Sequence, residues 1–166
     1  MSTKTQESMG TLPVKEHEWL QNLVGEWRVE TELSMPEGTK VKVQGTQSVK
    51  VVGGLWAFGE GKGGMPDGSP MTYYLGLGYD VSFKEYRGFV IRSMSSHLWT
   101  YKGKLSADGK TMTMDCVGPS MTRDGETANY RDTLEIVDEN HHIYTATGQD
   151  DSGQWHVIMK SHYTRA

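Results

Sequence analysis

From Glu26 to the end of the chain, apolar residues recur at every second position, and this period constrains the fold more than any other feature. In "EWRVETELS", Trp27, Val29, Thr31 and Leu33 alternate with Arg28, Glu30, Glu32 and Ser34. In "TKVKVQGTQSVKVV", Val41, Val43, Gly45, Gln47, Val49 and Val51 alternate with Lys40, Lys42, Gln44, Thr46, Ser48 and Lys50. Successive side chains of a strand point to opposite faces, so each stretch describes a strand with one dry and one wet face. Further strands are expected at about 54–62, 71–80, 85–93, 97–105, 110–118, 127–138, 141–149 and 153–164, most of them separated by turn signals such as "PEG", "ADGK", "RDGE" and "DDSG". An open sheet of ten antiparallel strands would leave long unpaired edges, and closure removes them. The expected fold is all-β: a single up-and-down antiparallel barrel of about ten strands, with a two-sheet sandwich as its competitor.

One segment departs from this period. "KEHEWLQNLVG" sets Trp19, Leu20, Leu23 and Val24 at helical spacing and stops at Gly25, which predicts a short N-terminal helix closing one end. Residues 1–14 read as a solvated tail before one barrel domain over 15–166. That tail has no apolar core, so it reads as neither signal peptide nor anchor, and no run reaches transmembrane length. A formal net charge of −4 gives no electrostatic attraction to nucleic acid or an anionic membrane. The single cysteine, Cys116, alternates with Met112 and Met114 as a small buried hydrophobe, and a chain without an internal disulfide suits the cytoplasm.

The stretch Gly59-Glu60-Gly61-Lys62-Gly63-Gly64 matches G-x-G-x-x-G, but a dinucleotide site needs a helix N-terminus directly after it. "MPDGSP" follows instead, and its prolines prevent a helix from continuing. A phosphate loop fails as well, because Lys62 precedes Gly63 rather than Ser or Thr. The glycines therefore read as a flexible connection between strands.

In an up-and-down barrel alternate connections lie at opposite ends. Turns near 36–39, 63–70, 94–96, 118–126 and 150–153 collect at one end, which holds both long connections and is the expected open mouth. Turns near 53–54, 81–84, 106–109 and 139–140 share the other end with the helix. Met35, Met65, Met71, Met94 and Met121 fall in or beside the mouth connections, where unbranched side chains either adapt to apolar partners or fill irregular packing.

Several residues in order carry a family resemblance: Leu20-x-x-Leu23-x-Gly25-x-Trp27, Gly53-Gly54-x-Trp56, Gly76-x-Gly78-Tyr79-Asp80, Asp108-Gly109-Lys110-Thr111, Glu135-Ile136 and Tyr163-x-Arg165. Over about 15–165 the chain resembles domain-of-unknown-function family 1579, a lipocalin-like (calycin-like) barrel family. The resemblance implies a barrel and carries no reaction or ligand with it. After Gly88 the family pattern is Trp-x-Asp, whereas this chain has Val90-x-Arg92, so no role resting on that acid carries over.

Taking the apolar parity as inward gives a candidate ligand-binding set. Gln47, Met71, Tyr73, His97, Trp99 and Tyr101 come from the first half of it, and Met114, Tyr130, Asp132, Trp155 and Met159 from the second. Leu75, Met112, Leu134, Val157 and Tyr163 share that parity. A barrel of this size either fills with side chains or holds one small ligand, and an aromatic and methionine lining suits a small apolar molecule. Asp132 on an inward parity needs a hydrogen-bonding partner, for which Tyr101, Tyr130, Gln47 and His97 are candidates.

Three alternatives compete with a lumenal carrier. A haem-binding barrel resembling the nitrobindins would need an inward proximal histidine, and His97 is the candidate. His141 and His142 are adjacent and diverge, while His156 and His162 take the outward parity. No metal-ligand spacing is present, so no cofactor or metal is expected. An enzyme would use Asp132 and Tyr130 as acid–base groups. A homodimeric scaffold would use an outward patch of Trp56, Tyr74 and Ile158.

Overall fold

The computed structural model describes residues 10–166; the first nine residues of the expected tail lie outside the described residues. The described residues form ten strands: β1 (Gly25–Ser34), β2 (Lys40–Val52), β3 (Trp56–Gly64), β4 (Pro70–Asp80) and β5 (Glu85–Arg92), followed by β6 (Trp99–Leu105), β7 (Thr111–Pro119), β8 (Thr127–Asp138), β9 (His141–Gln149) and β10 (Trp155–Arg165). Each strand pairs antiparallel with its chain neighbours, and β1 closes onto β10 to complete a barrel. No helix among the described residues is long and apolar enough to cross a membrane.

The expected short N-terminal helix is a 3₁₀ helix over Lys15–Leu23. His17, Leu20 and Leu23 are all buried at intervals of three, the spacing that a three-residue turn brings into one line. His17 Nδ1 accepts from the Val14 amide at 2.9 Å, so its Nε2 carries the proton and donates to the Tyr79 carbonyl at 3.1 Å. Trp19 Nε1 donates to the Gly109 carbonyl at 2.8 Å, and the Tyr86 hydroxyl donates to the Glu16 carbonyl at 2.7 Å. These bonds seat the helix on the end of the barrel that carries the turns after β4 and β6.

The two ends of the chain are latched together at that closed end. Trp27 is 1% exposed and donates through Nε1 to the Leu23 carbonyl at 2.9 Å. Arg165 lies opposite Trp27 in the β1–β10 register and places its guanidinium 4.2 Å from the indole. It also donates to the carbonyls of Val24 and Glu139. Gly25 has φ +127°, and a Cβ there would collide with the Arg165 guanidinium. Gly25-x-Trp27 and Tyr163-x-Arg165 are therefore two halves of one contact.

Two expectations from the sequence are corrected. All six residues of the glycine stretch lie inside β3, the first four paired with β2 and all six with β4, so they are strand rather than a flexible connection. A register shift between Val157 and Met159 in β10 reverses the parity that placed Trp155 and Val157 inside. Trp155 is 39% exposed with the Arg131 guanidinium 4.8 Å from its ring, while Ile158, expected outside, packs partly buried against the core. A bulge adds one residue to one strand, and every side chain beyond it changes face. Trp56 and Tyr74 do face outward, as their parity indicated.

Candidate functional site

The interior divides into a filled half and a hollow half. On the hollow side the wall is made of residues that project little or nothing. Val29 pairs with Gly45 across β1 and β2, and Gly59, Gly61 and Gly63 occupy the inward positions of β3. Around Gly63 a Cβ would find nothing nearer than 3.7 Å. The mouth end of β3 thus presents bare backbone at Gly63 and Gly64, and a cavity of about 210 Å³ lies against it, while the Tyr73 ring covers Gly61. Its lining is mostly apolar: Val29, Leu33, Val43, Val49, Leu75, Leu77, Val90 and Leu134, with Met71, Met114 and Met159. Met65, Pro66 and Met94 from the mouth connections complete it, so the space reaches the loop end that the strand count marked as open.

Polar groups are few and form two systems. One is a row across β2 to β5, where Gln47 faces Gly61, Gly61 faces Tyr73, and Tyr73 faces Arg92. The Tyr73 hydroxyl donates to Gln47 Oε1 at 2.8 Å, and its ring crosses directly over Gly61. Burial holds the Tyr73 phenol far above its ordinary range, with the neighbouring Tyr163 adding to the effect. Tyr101, Tyr144 and Tyr163 are also raised, burial being the first cause for each. All four lining phenols therefore stay neutral and serve as hydrogen-bonding groups.

The other system belongs to Asp132, which is 4% exposed and accepts from the Tyr144 hydroxyl. Burial raises its carboxyl above the usual range, while hydrogen bonds from Tyr144 and Tyr101 and the charge of Arg92 oppose that rise. Its partner Tyr144 was not among the candidates from sequence. Asp132 does not itself line the cavity; Tyr144 and Met114 do.

The remaining candidates occupy the filled half. His97, Trp99 and Tyr130 make a chain of edge-to-face contacts, with centroids 4.7 and 5.1 Å apart. Tyr130 donates to the Pro119 carbonyl at 2.5 Å, and the Trp99 ring occupies the space a Cβ on Gly118 would need. Of the eleven candidates, Gln47, Met71, Tyr73, Tyr101, Met114 and Met159 line the cavity; His97, Trp99, Tyr130 and Asp132 pack beside it; Trp155 lies on the outer face.

Among the lining residues outside the candidate set are Arg92, Tyr144 and His142. His142 is 2% exposed and stacks on Tyr163 at 4.6 Å and against Trp27 at 4.4 Å. Its Nδ1 is buried without a hydrogen-bond partner, and burial pulls its pKa down from 6.5 to about 4, so the ring is neutral. His141 points the other way and stacks on His162, with Nε2 and Nδ1 3.0 Å apart. Among the described residues, no three His, Cys, Asp or Glu side chains converge to hold a metal ion.

These features define a class: a small closed β-barrel with an eccentric, largely apolar lumen open toward its loop end. The chain belongs to the family described as protein of unknown function DUF1579, whose model matches residues 12–165. Comparison with curated proteins finds no match. Among solved structures, the chain is similar to Rv2717c from M. tuberculosis, at 12% identity and a TM-score of 0.65, covering 92% of this chain and 98% of that one. It is also similar to the S-type phycobiliprotein lyase CPES from Guillardia theta, at 13% identity and a TM-score of 0.58, covering 92% and 93%. At these identities the likeness concerns the fold.

Proposed function

We propose that this protein binds one small, largely apolar molecule in its lumen. The observation that carries this reading is the apolar cavity itself, flanked by Gly45 of β2 and Gly63 of β3. Packed interiors normally leave few voids larger than a water molecule, yet here a cavity of about 210 Å³ stands beside Gly45, Gly63 and Gly64. A dry cavity of about 150 Å³ admits benzene, so this one suits a body of about eight non-hydrogen atoms, with room to extend toward the mouth. Aliphatic and methionine side chains supply apolar contact, and the Tyr73–Gln47 pair supplies the orienting polar groups such a pocket needs.

Native mass spectrometry of the freshly purified protein tests this reading. A retained non-covalent adduct, absent from a Met114→Trp variant whose indole fills the cavity, is the expected result. An adduct that persists unchanged in Met114→Trp would place binding elsewhere on the molecule.

A further inference from the structure

The cavity has a charge asymmetry that an apolar reading alone does not explain. The protein is acidic, with 21 Asp and Glu against 17 Lys and Arg, yet no Asp or Glu lines the cavity. One cation does: Arg92, within the row of Gln47 and Tyr73, whereas the Lys62 ammonium takes the outward parity of β3, exposed and 4.0 Å from Glu60. Arg92 is the last residue of β5 and sits directly opposite Tyr73, so its side chain shares the lumenal face.

Arg92 is only partly exposed, and apart from the exposed Arg28 its guanidinium is unlike the others placed around the barrel. Arg87, Arg123 and Arg131 each pair with a carboxylate, and Arg165 donates to two carbonyls. Among the described residues Arg92 makes no ion pair and donates no side-chain hydrogen bond; its ring contact is Trp99, 6.0 Å away. A guanidinium removed from water in an apolar lumen is costly unless something accepts its hydrogen bonds. The nearby carboxyl of Asp132 is engaged by Tyr144 and stands behind the lining.

We infer that the lumen takes an apolar carboxylate, its anionic head held by Arg92 beside Tyr73 and its hydrocarbon body against the apolar lining beside Gly63. The inference rests on the lumenal reading above and names the ligand class for it. A planar carboxylate matches the fork of a guanidinium and accepts two parallel hydrogen bonds from it. The Tyr73 and Tyr163 phenols stay neutral throughout the physiological range, so they add no negative charge beside the head.

Isothermal titration with 4-methylbenzoate and its uncharged isostere 4-methylbenzamide tests this, using the full chain at neutral pH. The acid should bind about tenfold or more tighter than the amide, the scale of a charge-assisted pair. Arg92→Met should abolish that preference by weakening the acid alone, Arg92→Lys should retain part of it, and unchanged amide binding shows that the variants are folded. Equal binding of acid and amide by the wild-type protein, or a preference that survives Arg92→Met, would overturn the carboxylate inference and leave the lumenal reading standing. Binding of neither compound would overturn both.

Discussion

The ring of Tyr73 lies over Gly61 in the space a Cβ would occupy, and it uses that path to reach Gln47 at 2.8 Å. The glycine that resembles part of a nucleotide fingerprint is thus present because a tyrosine crosses it. Gly61→Ala should push Tyr73 aside and destabilise the protein by about 1–3 kcal/mol, the usual cost of overpacking. Gly63→Ala, with open space around its Cβ, should be tolerated and only narrow the cavity. Chemical denaturation separates the two, and equal costs would contradict the assignment. Neither variant should alter nucleotide binding, which is expected to be undetectable in all three proteins.

Trp27 joins the helix, β1 and Arg165 at the closed end. Trp27→Ala should destabilise by about 3–5 kcal/mol, the range for a large buried aromatic. An unchanged thermal midpoint would remove the latch from the account.

His142 predicts a specific acid sensitivity. Its pKa is lowered from 6.5 to about 4, so its contribution is complete above pH 6.5 and is lost as the pH falls toward 4. Over that window the wild-type protein should lose about 3 kcal/mol from this group. His142→Phe keeps a ring between Trp27 and Tyr163 and should remove the loss. Denaturant midpoints at pH 7 and pH 4 for both proteins check it, and parallel behaviour would refute it.

Asp132 predicts the opposite trend. Because its folded-state pKa is raised, its contribution is complete below the ordinary aspartate value and declines as pH rises through the folded value. Asp132→Asn should therefore gain stability relative to wild type as the pH is raised from 4 to 7. A difference that stays constant or shrinks would show that the carboxylate is fully compensated by its tyrosines.

Much of this was legible because alternation survives any packing detail. The ten strands, the helix-covered end and the loop-rich mouth all follow from period and turn spacing. Trp155 was misplaced because a bulge in β10 exchanges the faces, and no local residue signal marks it. The glycine stretch reads as a connection because glycine weakens a strand unless something needs its space, and at Gly61 that something is the Tyr73 ring, a contact between strands. Tyr144 and His142 were hidden by the mixed pattern of β9, where Thr and Ala share the faces. Arg92 looked like a solvated strand end, and its lumenal position shows only in the register opposite Tyr73.

The most direct test is a titration followed through ¹³C-methyl methionine signals with ethylbenzene as the probe. The account predicts saturable shifts of Met71, Met114 and Met159, little change at the exposed Met121, and loss of the response in Met114→Trp. Shifts confined to Met121, or no saturable response at the three lumenal methyls, would contradict a ligand-binding lumen.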